Sequence, residues 1–178
     1  MNERRARRVI GAMVIFMAMG SSMQQADTDP GRIAEAARAV IGVARYCALI
    51  TLDADGMPQA RAMDPFPAED DFTVWMATNA STRKVRELAD DPRATLYYID
   101  AAGGAYVTLI GSAVVVADEA EKARHWKTEW NDFYEDGNHG DDYVLVHFVP
   151  RRLEVVSPAH GVASDPRAWK AAVLEFDR

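Results

Sequence analysis

Thr78-Asn79-Ala80-Ser81-Thr82-Arg83-Lys84-Val85-Arg86-Glu87 is a strand-to-helix junction, and its reading decides the fold. The apolar run before it, Phe72–Ala77, has the length and character of a buried strand. After it, Val85, Leu88 and Ala89 recur at helical spacing until Asp90-Asp91-Pro92 stops the helix. Asn79 and Ser81 are both residues whose side-chain oxygen can cap a free backbone N–H. Arg83 and Lys84 then fall in the first helical turn, where the macrodipole is already positive and favours carboxylates. Each cation there forfeits about 0.3–1 kcal/mol unless an anion sits at the same end. Free N–H groups, the hydroxyls of Thr78, Ser81 and Thr82, and two cations together predict a phosphate site. Solvated cations beside an ordinary cap are the alternative reading of the same residues.

Working outward, Asp29-Pro30 caps a preceding helix whose apolar stripe is Ile33, Ala36, Ala37, Val40 and Ile41. Tyr46–Leu52 and Met57–Met63 read as a hairpin around Asp53-Ala54-Asp55-Gly56, with a polar loop over Asp64–Asp71. Downstream, Ala94–Ile99 and Tyr106–Ala117 read as strands, the second with a bulge at Gly111. Glu119–Trp130 reads as a helix with Ala120, Ala123 and Trp126 or Lys127 along one side. Tyr143–Val149 and Leu153–Ser157 read as strands joined by a Pro150-Arg151-Arg152 turn. The tail, Pro158–Arg178, has only a weak pattern around Trp169, Val173 and Phe176. Six or seven strands and three short helices predict a mainly β (α+β) fold, a small barrel with peripheral helices.

The 178 residues suit one domain with a real core. Net charge is −7; four Arg and one Glu lie in residues 1–26, so the remainder, with 16 basic and 26 acidic residues, carries −10. That body disfavours nucleic acid and anionic membranes as partners. It also sets the local cluster Arg83, Lys84, Arg86 apart from its background. Cys47 is the only cysteine, which excludes an intrachain disulfide and a thiolate metal site, and its apolar neighbours predict a core position.

Residues 1–26 run basic (Arg4-Arg5-Ala6-Arg7-Arg8), apolar (Val9–Met19) and then small and polar, the order of a secretory signal. The apolar run is too short for a stable membrane span. Export to the periplasm or outside is the expectation; an uncleaved anchor, or a cytoplasmic protein starting at Met23, are the alternatives.

Four pieces in order resemble a known family. Ala44-Arg45-Tyr46…Leu49-Ile50-Thr51-Leu52-Asp53…Gly56-Met57-Pro58…Arg61-Ala62-Met63 is similar to the opening hairpin of the pyridoxamine 5′-phosphate oxidase-like flavoproteins. Thr78-Asn79…Ser81-Thr82-Arg83-Lys84-Val85 is similar to their phosphate-binding turn. Tyr106-Val107…Leu109…Gly111-Ser112-Ala113, and the Trp-rich segment reaching Trp130 and Phe133, resemble the general-stress-protein branch. The resemblance covers roughly Ile33 to Pro158 and implies a six-stranded split β-barrel; the domain is expected over residues 27–158, with residues 159–178 as a tail packing on it. It implies FMN at a homodimer interface. Arg61 and the Ala62-Met63 backbone then face the flavin ring and ribityl region, and Thr78, Ser81, Arg83 and Lys84 hold the phosphate. Trp75 is expected in the core, not stacked on the flavin.

The Arg/His segment with which the true oxidase grips its substrate has no counterpart; the chain ends with His160-Gly161-Val162…Trp169-Lys170…Phe176. The expected activity is therefore a flavin-dependent oxidoreductase acting on an unidentified small molecule. A deazaflavin in place of FMN, a non-catalytic flavin-binding or storage protein, and a dimeric interaction module are the alternatives. His125, His139, His147 and His160 lack metal-ligand spacing, Asp136–Asp142 lacks the ligands of a calcium loop, and no nucleophile elbow occurs. A flavin carries its own electron chemistry, which accords with the lack of an acid–base constellation.

Overall fold

The computed structural model describes residues 29–163, 165, 167 and 170–177. Strands β1 (Cys47–Leu52) and β2 (Pro58–Met63) form the expected hairpin. Its turn is held by Asp53, whose Oδ1 accepts from the N–H groups of Asp55 and Met57, with Gly56 at φ 76°. β3 (Val74–Asn79) leads into helix α2 (Arg83–Asp90), then β4 (Arg93–Asp100), β5 (Ala105–Val116), the short helix α3 (Glu119–Arg124) and β6 (Tyr143–Val156). Before β1 lies helix α1 (Pro30–Val43), and after β6 a last strand, β7 (Ala172–Glu175). The expected leader in residues 1–26 and Trp169 fall outside the described residues. Among the described residues, no helix is long and apolar enough to cross a membrane.

Six strands curl into an antiparallel split barrel in the order β2-β1-β4-β5-β6-β3. Alternation builds the core: Leu49, Leu96, Tyr98, Leu109 and Leu153 point inward from four neighbouring strands and are almost fully buried. Asp29 caps α1 through Gly31 N–H at 3.2 Å, and Ile33, Ala36, Ala37 and Val40 bury its stripe against the barrel.

Three readings need correction. No turn interrupts β6 at Pro150: that residue sits opposite Gly111, where the β5–β6 register shifts. A Cβ on Gly111 would lie 2.1 Å from Val149 O, so the expected bulge is also what admits the proline. Helix α3 stops at Arg124 and gives way to 3-10 turns at Thr128–Asp132 and Gly137–His139; its inward side chain is Lys122, while Ala123 is exposed. Lys122 is tolerated there because its Nζ donates to Glu119 (2.8 Å) and to Gly140 O (3.0 Å). The weakly patterned tail supplies β7, which pairs with Arg152–Val155 on the half of β6 that β3 leaves free.

Candidate functional site

The barrel's two edge strands, β2 and β3, meet only at one end. There Pro65 bridges Met76, and Phe66 N–H donates to Trp75 O at 2.9 Å. Beyond that bridge the edges part into a slit, with Arg61, Ala62 and Met63 on one bank and Ala77, Thr78 and Asn79 on the other. Edge strands carry backbone N–H and C=O groups without ladder partners, so each bank offers hydrogen bonds to whatever enters.

The junction that opens α2 closes the far end. Thr82, and neither Asn79 nor Ser81, is the N-cap, and it makes no side-chain cap bond. Asn79 instead turns its side-chain Oδ1 back on Ser81, accepting from Ser81 N at 2.9 Å and Ser81 Oγ at 2.6 Å. The first turn contains no acidic residue, and Arg83 and Lys84 occupy it as the sequence predicts. Lys84 Nζ donates to the buried Thr78 Oγ1 at 2.8 Å. Burial, then the nearby Arg61, holds the Lys84 ammonium below the usual lysine range.

Glu87, one turn on, organises the cations and was not singled out from sequence. It is almost fully buried, in a place where the helical pattern suggests Ala89, which is exposed. Its Oε2 meets Arg61 Nη2 at 2.7 Å and accepts from Thr51 Oγ1 at 2.5 Å; its Oε1 lies 2.8 Å from Arg83 Nε in an ion pair off the hydrogen-bonding line. Arg61 Nη1 also donates to Thr51 Oγ1 at 2.6 Å, and Arg83 Nη2 to Gln59 Oε1 at 3.0 Å. Burial pushes the Glu87 carboxyl up, but the Thr51 hydroxyl and the two guanidinium groups outweigh it and hold it below the usual range. Arg61, Arg83 and Lys84 thus converge from β2 and α2 with, among the described residues, a single carboxylate in direct contact. The one signal for Glu87 in the sequence was its i,i+4 spacing from Arg83.

Of the expected contacts, Arg61, Thr78, Arg83 and Lys84 come together. Ser81 lies beside them on the surface with its hydroxyl turned to Asn79. Ala62 is exposed and Met63 buried, as adjacent residues of an edge strand must be. Trp75 is not in the core. It stands on the outer face of β3, stacked between His147 (ring centroids 4.1 Å) and His125 (4.5 Å), with Nε1 donating to Glu69 at 3.0 Å.

On that outer side a pocket of about 360 Å³ lies over the slit, lined by Asp64, Ala77, Asn79, Trp130, Phe133 and Tyr134. Trp130 and Tyr134 pack edge-on around Trp126 and against Tyr143, while Phe133 is 75% exposed. Lys127 ties the segment to the end of β2 through Asp64 at 3.0 Å, its ammonium 5.0 Å from the Trp130 ring. Asn79 belongs both to this aromatic pocket and to the turn that presents the cations. Arg61, Arg83 and Lys84 themselves do not line the pocket.

Residues 34–165 match the family described as pyridoxamine 5′-phosphate oxidase like. The chain belongs to that family. Solved structures share its fold at low identity. General Stress Protein 26 from Bacillus anthracis is 20% identical with a TM-score of 0.60, over 69% of this chain and 92% of that one. A Clostridium acetobutylicum protein related to general stress protein 26, of the pyridoxinephosphate oxidase family, is 22% identical with a TM-score of 0.67, over 84% and 97%. A heme binding protein from Mycobacterium smegmatis is 22% identical with a TM-score of 0.59, over 80% and 57%. No curated protein shows a significant match to the chain. As a pyridoxamine 5′-phosphate oxidase-like chain it carries the split barrel and, in the slit between β2 and β3, a cationic cluster beside an aromatic pocket.

Proposed function

We propose that the slit binds FMN and that the protein is a dimeric flavin-dependent oxidoreductase acting on a small molecule. The observation that carries the reading is the convergence of Arg61, Arg83 and Lys84 around the first turns of α2, whose N-cap makes no side-chain bond, with Glu87 the one carboxylate in direct contact among the described residues. A phosphate there gains charge-assisted hydrogen bonds and the favourable end of the helix dipole. The aromatic pocket next to it suits the isoalloxazine ring. When bound, the flavin supplies the electron transfer; the chain orients it, excludes water with Trp130, Phe133 and Tyr134, and offers backbone groups of Ala62 and Met63 as hydrogen-bond partners.

The outer face of the sheet supports the dimer. Ile50, Tyr97, Ile99, Tyr106 and Ile110 share the side of β1, β4 and β5 that the barrel core does not use, and Ile99 is 55% exposed. Monomeric soluble proteins seldom leave such a row uncovered. A second copy seated there brings a further wall to each slit.

The deciding experiment is a visible spectrum of the purified protein, before and after adding FMN, followed by denaturation to release the ligand. A yellow protein that releases FMN supports the reading. A colourless protein that ignores FMN but takes up a deazaflavin, or one that shows a Soret band with haem, replaces it.

A further inference from the structure

A second pocket, sharing no lining residue with the slit pocket, lies between the C-terminal end of α1 and the segment that joins β2 to β3. It measures about 350 Å³, at the small end of ligand-sized cavities. Its walls include Ile41, Pro65, Phe66 and Phe72, and Tyr98 of β4 reaches it from the barrel interior. Among the described residues, the only charged side chains in its lining are Arg38 and Arg45, in a chain whose net charge is −7.

The two arginines differ in what they are free to do. Arg38 is committed: it donates to the carbonyls of Glu69 (3.3 Å) and Asp70, and its guanidinium lies 4.4 Å above the Phe72 ring. Arg45 is exposed, sits 5.1 Å from the Tyr46 ring, and has no ion pair among the described residues. The negative pole of α1 accounts for one cation at that end without a ligand. It does not account for Tyr98. That side chain is 1% exposed, and among the described residues its hydroxyl has no hydrogen bond of ordinary geometry. Its polar neighbour is the Cys47 thiol, a weak partner at best. A buried hydroxyl left in that state is unfavourable unless something else supplies an acceptor.

We propose that this pocket binds a small aromatic organic acid, with its carboxylate on Arg45, its ring against Phe66 and Phe72, and an oxygen substituent accepting from the Tyr98 hydroxyl. The site is separate from the flavin slit, and its ligand is selected by charge at the mouth and by one hydrogen bond at the floor.

The test uses the full chain and two probes, 2-naphthoate and 6-hydroxy-2-naphthoate, titrated by calorimetry. Both acids bind in the micromolar range, and the hydroxy acid binds at least threefold more tightly. Arg45→Gln weakens both about tenfold. Tyr98→Phe keeps 2-naphthoate affinity and abolishes the advantage of the hydroxy acid, a change that loss of fold cannot imitate. Saturating FMN and the Arg83→Ala variant leave both affinities unchanged. The proposal is overturned by absence of binding at millimolar acid, by equal binding of 2-naphthylmethylamine, by insensitivity to both Arg45→Gln and Tyr98→Phe, or by displacement of the acids with FMN.

Discussion

Arg61 on β2 and Glu87 on α2 meet at 2.7 Å across the closed end of the slit, and through that contact the helix that presents the cations is fixed to the barrel edge. Glu87 is buried and Arg61 nearly so, whereas Arg83, the second partner, is 62% exposed. Glu87→Gln leaves Arg61 facing a neutral group in a poorly solvated place. The expected loss is about 2–3 kcal/mol, below the ~3–5 kcal/mol of a fully buried pair because water screens Arg83. Thermal unfolding reads this as a fall of roughly 5–10 °C. Because the Glu87 carboxyl is held below its ordinary range in the fold, its contribution is complete above the unfolded value and fades as pH falls through the folded one. Native and variant melting curves therefore converge in acid; a constant gap down to the lowest pH at which both fold would sink this account. Inorganic phosphate should restore more stability to Glu87→Gln than to the native protein, since the variant has lost its internal anion.

Lys84 gives the same cluster an alkaline limit. Burial and Arg61 depress its ammonium, so without an anion the charged form is disfavoured and the fold gains stability as pH rises through the folded value towards the unfolded one. A phosphate reverses the preference by pairing with the charged form. FMN affinity is expected to decline as Lys84 loses its proton, and Lys84→Arg, which stays charged throughout, should flatten that limb. Fluorescence titration of FMN at several pH values checks it; identical alkaline limbs in both proteins would remove Lys84 from the phosphate site.

Most of the barrel and half of the site can be read from the chain, and the boundary between legible and illegible has physical causes. Apolar runs and turn signals show β1 to β5, and Asp29, Asp53 and Gly56 announce their cap and turn by chemistry that acts over a few residues. Pro150 misleads because a proline in a strand is tolerated only opposite a feature elsewhere in the sequence, here Gly111. Glu87 is illegible for a similar reason. A lone carboxylate on a short helix reads as solvated until Thr51 and Arg61, from another hairpin, are seen to bury it. Trp75 misleads because strand periodicity separates two faces without saying which faces inward, and His125 and His147 cover the outer one. The cations at Arg83 and Lys84 were legible because their position is unfavourable locally, and a local conflict needs no tertiary knowledge to notice.

Phe133 separates ring recognition from phosphate recognition. It lines the aromatic pocket yet is 75% exposed, so its removal creates no cavity in the core. Phe133→Ala should leave the melting temperature within about two degrees, because exposed truncations usually stay within roughly ±0.5 kcal/mol. It should weaken FMN and riboflavin alike by about 0.5–1.5 kcal/mol, the worth of one aromatic contact. Arg83→Ala, by contrast, should weaken FMN and spare riboflavin, which has no phosphate. Parallel titrations of the two flavins distinguish these patterns, and loss of FMN binding alone in Phe133→Ala would place the ring elsewhere.

Ile99 tests the dimer. It lies beside Tyr106 on the outer sheet face, and at 55% exposure it adds little to the core of one chain. A carboxylate there costs the monomer almost nothing, but two copies of Ile99→Asp pressed together bury unpaired charge. Sedimentation at micromolar concentration should therefore show the native protein as a dimer and the variant as a folded monomer. Flavin affinity should fall with the dimer, because the second wall of each slit leaves with the partner, although Arg61, Arg83 and Lys84 are untouched. An Ile99→Asp variant that remains dimeric assigns the interface to another face. One that becomes monomeric while holding FMN at native affinity shows that a single chain completes the site.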